Sequence, residues 1–236
     1  NPSLNSFGQT GLIQTPSAKT MGEDSIYLTL NNNSMWKYGA IYVSPYDWLE
    51  ASYFYYRPRD LSWVPGSKIN YLDKGFNAKI AFNSRQSNIP SFAIGIDDIG
   101  GTGYFSKEYL VSTIDRNRFN FTLGIGWGKF NNISSFSNPL SFLGEKFETR
   151  NTISKNFDLG GNFATDLWFK GNASIFGGLE IYLPKTNGIK LKIEHDPFNY
   201  LDFSAVNRFD ADPRLRNKDS NINIGLRIPV NELLNV

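Results

Sequence analysis

The sequence predicts an all-β protein, an antiparallel transmembrane β-barrel of about ten to twelve strands. Three observations carry that expectation. Residues 119–128, FNFTLGIGWG, alternate strictly, with Phe119, Phe121, Leu123, Ile125 and Trp127 set against Asn120, Thr122, Gly124, Gly126 and Gly128. That is the period of a strand with two unlike faces, and a membrane barrel turns its bulky face to lipid and its small face to a lumen. Aromatic residues make up 15% of the chain and charged residues only 19%, below the roughly 25% of a typical globular protein. The alternating stretches run to roughly nine to eleven residues, suited to a tilted membrane-crossing strand and longer than the roughly six of a sandwich strand.

Residues 1–236 read as one domain, with 1–23 a lead-in, 24–230 the main strands, and 130–160 and 197–219 long loops. Within the lead-in, 11–18 (GLIQTPSA) is a short strand or a turn, because Pro16 suits neither a ladder nor its centre. Residues 24–32 set Ile26, Leu28 and Leu30 against Ser25, Tyr27, Thr29 and Asn31, and a turn follows at 31–34. A looser strand spans 37–45. Then 48–57 (WLEASYFYYR) puts Leu49, Ala51, Tyr53 and Tyr55 on one face. After a loop at 58–73, residues 74–84 oppose Phe76, Ala78, Ile80 and Phe82 to Asn77, Lys79, Ala81 and Asn83, and 90–98 repeats the design. A glycine-rich turn at 98–104 leads to a strand at 105–114 and a polar turn at 115–118.

Residues 130–159 are irregular, with a lid or a short helix around 140–147, and 162–170 is an irregular strand. The pattern resumes at 174–183, at 189–194 (IKLKIE) and at 221–228. Nearly every connection reads as a hairpin and no βαβ unit appears, which disfavours a doubly wound sheet. The end, NELLNV, starts a strand that the chain does not finish, so the expected barrel is incomplete at its C-terminus or closed by another segment.

The chain has no cysteine, which excludes a disulfide scaffold and thiol chemistry. Net charge is +2 with both signs mixed and no basic tract, so nucleic acid is not an expected partner. The run Gly100-Gly101-Thr102-Gly103 lacks phosphate-loop spacing and reads as a hairpin turn. Asp97 and Asp98 are adjacent and point to opposite faces, although Asp97 and Glu108 could meet across a hairpin. His195, between Glu194 and Asp196, is the single histidine, and no HExxH or GxSxG accompanies it. No catalytic residue, metal site or cofactor is expected, and the chain reads as a non-enzyme.

The better functional candidates are the charged residues on the small face. Lys79, Asp97, Glu108, Glu180, Lys190, Lys192, Glu194 and Arg227 are expected to line a lumen, set its field and select what passes, or else to block it with salt bridges. Tyr27, Tyr56 and Tyr182 are candidates for stacking against sugar rings. Tyr42, Tyr46, Trp48, Trp127 and Tyr200 lie near strand ends, where amphipathic rings suit a membrane interface.

Five blocks carry a family resemblance: GLIQTPSA at 11–18, IGIDDIGGTGYFSKEYLVST at 94–113, FTLGIGWG at 121–128, FSNPLSFLGEKFETR at 136–150 and FGGLEIYLPKTNGIKLKIEHD at 176–196. Together the chain resembles the YjbH/GfcD family of outer-membrane β-barrel proteins tied to exopolysaccharide and group 4 capsule production. The resemblance implies a Gram-negative outer-membrane location and a barrel acting as conduit or scaffold in polysaccharide export or assembly. Outer-membrane lipid, acidic polysaccharide and other secretion-system proteins are the partners it implies. It supplies no catalytic residue, and family members are usually much longer than this chain. Two alternatives stand beside it: a structural outer-membrane barrel that binds partner proteins through its loops, and an outer-membrane hydrolase using His195.

Overall fold

Period-two alternation becomes ten strands paired in chain order. The computed structural model describes residues 2–62, 70–84, 86, 88–100, 105–131, 134–151, 163–198, 200 and 218–230. The strands are β1 Ser25–Asn32, β2 Trp36–Tyr46, β3 Leu49–Pro58, β4 Asp73–Phe82, β5 Ser91–Asp97, β6 Lys107–Arg116, β7 Phe119–Gly126, β8 Ser174–Tyr182, β9 Lys190–His195 and β10 Ile222–Arg227. They form one antiparallel sheet in the order β1 to β10, each strand beside its chain neighbour. Where the connection is short, as between β2 and β3 or β6 and β7, that order is the natural one, because a short loop leaves a strand nowhere else to pair. The expected short helix resolves into two 3₁₀ turns, Pro139–Leu143 and Glu145–Phe147. Residues 163–170 contain turns rather than a strand, and residues 8–15 contribute only isolated bridges.

The sheet has an inner and an outer face. Inner positions of β2 to β9 are buried, among them Tyr38, Phe54, Asn77, Lys79, Phe176 and Lys192. Outer positions carry exposed apolar side chains on strand after strand, with Leu28 69%, Phe76 53%, Leu123 65% and Ile224 72% exposed. Glycines on the inner face make room for rings from neighbouring strands. A Cβ on Gly95 would lie 2.2 Å from the Tyr109 ring, and one on Gly124 would lie 2.3 Å from Phe176. The small half of the β7 alternation is therefore small because large rings sit on it.

Residues 3–20 occupy the inner side rather than leading into the sheet. Phe7 touches Trp36 of β2, Phe105 just before β6 and Phe198 just after β9, so the sheet curls around it. The segment folds on itself through Asn5, whose Oδ1 accepts from the backbone N–H groups of Phe7 and Gln9. Gly8 adopts φ +70, and a Cβ there would come within 2.4 Å of Ala40.

The expected closed barrel is corrected by the pairing. β1 pairs with β2 and β10 with β9, and no ladder joins β1 to β10 among the described residues. Inner-face positions of the two edge strands, such as Tyr27, Thr29, Asn223 and Gly225, are only half-buried, as an open sheet requires. Open edges leave N–H and C=O groups without strand partners, which the hydrocarbon of a bilayer does not tolerate. The transmembrane-barrel and barrel-conduit expectations are therefore withdrawn, together with the loop-binding barrel alternative. The reason is physical. Alternation fixes which face a side chain takes and hairpins fix neighbours, but closure needs a pairing between distant strands that neither signal specifies.

Candidate functional site

The sheet register places opposite charges directly across from each other on the inner face. Glu50 of β3 pairs in register with Lys79 of β4, and Lys79 Nζ lies 3.0 Å from Glu50 Oε2 with both side chains almost wholly buried. Asp97 of β5 faces Lys107 of β6, with Nζ 2.8 Å from Oδ2. Glu180 of β8 faces Lys192 of β9 and is reached by Lys190 at 2.8 Å and by Lys192 at 3.6 Å. Cross-strand opposition is where such pairs meet, and a buried charge persists only when paired or fully hydrogen-bonded.

The N-terminal segment supplies further bonds. Thr10 donates to Glu50 from its backbone N–H and from Oγ1 at 2.6 Å, and Lys79 donates to the Ser17 carbonyl and to Thr10. Gln9 donates to Asp97 Oδ1, and Lys107 Nζ sits 4.1 Å above the centre of the Phe7 ring. Lys192 donates to the carbonyls of Gly11 and Leu12 and to Ser3. Glu194 accepts from the backbone N–H groups of Ile13, Gln14 and Thr15, and from Asn223 Nδ2. Carboxylates gripped by consecutive backbone N–H groups form strong, geometrically fixed contacts. The inner charges Lys79, Asp97, Glu180, Lys192 and Glu194 therefore hold residues 3–20 in place, and a solute would have to displace those contacts to reach them.

Glu108 lies elsewhere. It neighbours Ile96 in register, on the outer side of β6, and is buried beneath the β7–β8 connection. Arg150 clamps it, with Nη1 at 2.6 Å and Nη2 at 3.2 Å from the two carboxylate oxygens. Asp97 and Glu108 thus do not meet. Arg227 is half-buried at the inner side of the β10 edge, opposite Lys190, and has no ion-pair partner among the described residues. His195 Nδ1 lies 3.1 Å from the Ile175 carbonyl, and no other hydrogen bond reaches it among the described residues. Those residues also contain no group of three or more His, Asp or Glu able to hold a metal ion.

The aromatic candidates are scattered over several environments. Tyr56 is fully buried in a cluster with Phe105, whose ring centre is 4.6 Å away, at the end where the long connections lie. Tyr200 joins that cluster and donates to Asp196 Oδ2 at 2.7 Å, and burial pushes its phenol well above its usual pKa. Tyr42 and Trp127 are fully buried. Tyr27 is half-buried against Tyr42, and Tyr46 and Trp48 stack on each other at the exposed β2–β3 turn. The Gly101–Gly103 turn and most of the 197–219 loop lie outside the described residues.

A cavity of about 710 Å³ opens at the opposite end, where β2–β3, β4–β5 and β6–β7 make their short turns. Trp48, Asn83, Asp115, Asn120 and Tyr182 line it from the sheet, and Lys19 lines it from the N-terminal segment. Lys19 Nζ bonds Asp115 Oδ2 at 2.7 Å and Ser91 Oγ at 3.2 Å. Asn120 donates to Glu180 Oε1 and to the Tyr182 hydroxyl. Sequence reading marked Tyr182 but missed the cavity, because its floor is built by residues 3–22, which show no period to read. The available signal was the density of short hydrogen-bonding residues and glycines in NSFGQTGLIQTPSA.

Residues 3–236 match the profile of a family described as "Exopolysaccharide biosynthesis protein YbjH". The chain is 35% identical over 203 residues to the "Uncharacterized lipoprotein YjbH" of Escherichia coli strain K12. That match covers 84% of this chain and 28% of the relative, so the chain spans between a quarter and a third of the curated relative's length. No solved structure matches the chain.

Proposed function

The chain belongs to the YjbH family, and from that premise we propose that it is a non-catalytic module of exopolysaccharide production, held at a lipid surface through its outer face. The observation that carries this reading is the contrast between the faces. Phe76, Ile80, Phe92, Leu110 and Leu123 of the central strands stand exposed on the outer side, whereas Glu50, Lys79, Asp97, Lys107, Glu180 and Lys190 of the inner side are spent in buried pairs. A continuous apolar face of this extent exceeds what water-exposed monomers usually carry and marks an interaction surface. The E. coli relative's designation as a lipoprotein supports a lipid surface within reach of this face, and the filled inner side supports a scaffold rather than a passage.

Flotation with phosphatidylethanolamine–phosphatidylglycerol vesicles in high salt tests this. High salt screens charge attraction and leaves apolar binding. The native chain should float with the vesicles, and a variant carrying Phe76→Arg, Phe92→Arg and Leu123→Arg should stay at the bottom of the gradient. Failure of the native chain to float, or equal flotation of both, overturns lipid as the partner of the outer face.

A further inference from the structure

We propose that the cavity at the short-turn end binds a neutral oligosaccharide. The inference rests on the family reading for the general presence of glycan, and on the cavity alone for the site and the charge class. The volume of about 710 Å³ falls within the roughly 300–1,000 Å³ of small-ligand sites. Its walls combine the two surfaces a sugar ring presents. Trp48, one face of which is stacked on Tyr46, offers an aromatic surface for the C–H side of a pyranose. Tyr182 adds a ring that already carries Lys190 Nζ 4.3 Å from its centre, and Asn83, Asn117, Asn120 and Asp115 offer groups that bond hydroxyls.

Acceptors are left over. Asn83 spends its amide N–H groups on Thr20 Oγ1 and the Asp47 carbonyl, and Asn120 spends its own on Glu180 and Tyr182. The Oδ1 atoms of Asn83 and Asn120, and Oδ1 of Asp115, accept no hydrogen bond from the described residues. Acceptors in that number call for a ligand rich in hydroxyl donors.

The charges choose among glycans. Asp47, Asp115 and Glu180 line the cavity against Lys19 alone. The ammonium of Lys19 is already engaged by Asp115 and Ser91, and Glu180 is held by Lys190 and Lys192 from behind. A uronic-acid carboxylate or a phosphate would meet carboxylates with no cation to spare. A neutral sugar would meet only hydrogen-bond partners. The acidic polysaccharide implied by family resemblance is therefore disfavoured at this site.

An array of neutral-hexose, N-acetylhexosamine and uronic-acid oligosaccharides, probed with the full chain in detergent, tests the site without depending on vesicles. Binding should be confined to neutral members. Trp48→Ala and Asn120→Ala should each weaken it by about tenfold, while circular dichroism shows the strand signal unchanged. A blank array, a preference for uronic acids, or binding that survives both substitutions overturns the proposal. If the array is blank and flotation persists, the cavity proposal falls and the membrane reading stands. If flotation fails and neutral glycans still bind, the reverse holds.

Discussion

At one end of the inner face, Phe105 contacts the rings of Phe7, Trp36, Tyr38, Phe54, Tyr56 and Phe198, with centres 4.6–6.1 Å apart. At the other end, Asn83, Asp115 and Asn120 surround open space. The same ten strands build both ends, and the N-terminal segment runs between them. The difference teaches where the molecule keeps its rigidity and where it leaves room for a ligand. Leu61, Tyr71, Phe105, Phe198 and Tyr200, described residues of the connections at the aromatic end, are buried in its cluster, so ring burial there contributes the most stability. At the other end Asn83 is exposed and Asp115 and Asn120 are half-buried, so polar groups remain available.

The strongest way to break this comparison is Phe105→Ala. Truncating a buried ring and leaving a cavity costs about 3–5 kcal/mol, and the surrounding rings come from too many elements to close the gap. Chemical denaturation followed by circular dichroism should show that loss. A cost below about 1 kcal/mol would mean that the aromatic end is not the stable half.

Much of this architecture is legible in the sequence, and the reason is local. Alternation in 74–84 and 119–128 marks β4 and β7 to within two residues of where they begin and end, because a strand half-buried on one face needs a period of two. Face assignment was equally local: Lys79, Lys190, Lys192 and Glu194 emerge on the inner side, where alternation puts them. What the residues did not reveal depends on distant contacts. Glu194 grips residues 13–15 from about 180 positions away, and no periodicity marks that partnership. Sheet closure failed as an inference for the same reason, since β1 and β10 lie at opposite ends of the described strands. Glu108 misled through a third cause. Its outer position is buried by the Arg150 clamp, a contact made by an irregular connection.

A pH titration sharpens the contrast from the dry end. Asp98 follows β5 in the aromatic region, and burial first, then the nearby Asp73, raises its carboxyl from the ordinary 3.8 to about 7. The folded state therefore holds this proton up to about pH 7, whereas the unfolded chain releases it near pH 4. Stability from this group is fully present below the unfolded value and is lost as pH rises through the folded one. Asp98→Asn keeps the shape, and asparagine also tolerates the φ of 55° found there. The native melting temperature should fall between pH 4 and pH 7 more steeply than that of the variant. Parallel slopes would show that Asp98 is not the group that makes the dry end sensitive.

The smallest effect belongs to the wet end. Asp115 is 40% exposed and its ion pair with Lys19 closes at 2.7 Å. Exposed pairs of this kind contribute about 0–1 kcal/mol, because water and salt screen the attraction and two long side chains must be held still. Asp115→Ala should therefore leave the denaturation midpoint nearly unmoved, and any change should shrink further in high salt. The same substitution removes a cavity wall group with a vacant acceptor, so its effect should appear in glycan binding rather than in unfolding. A stability loss as large as that of Phe105→Ala would mean that the short-turn end is built as tightly as the aromatic end, and the division of labour between them would fail.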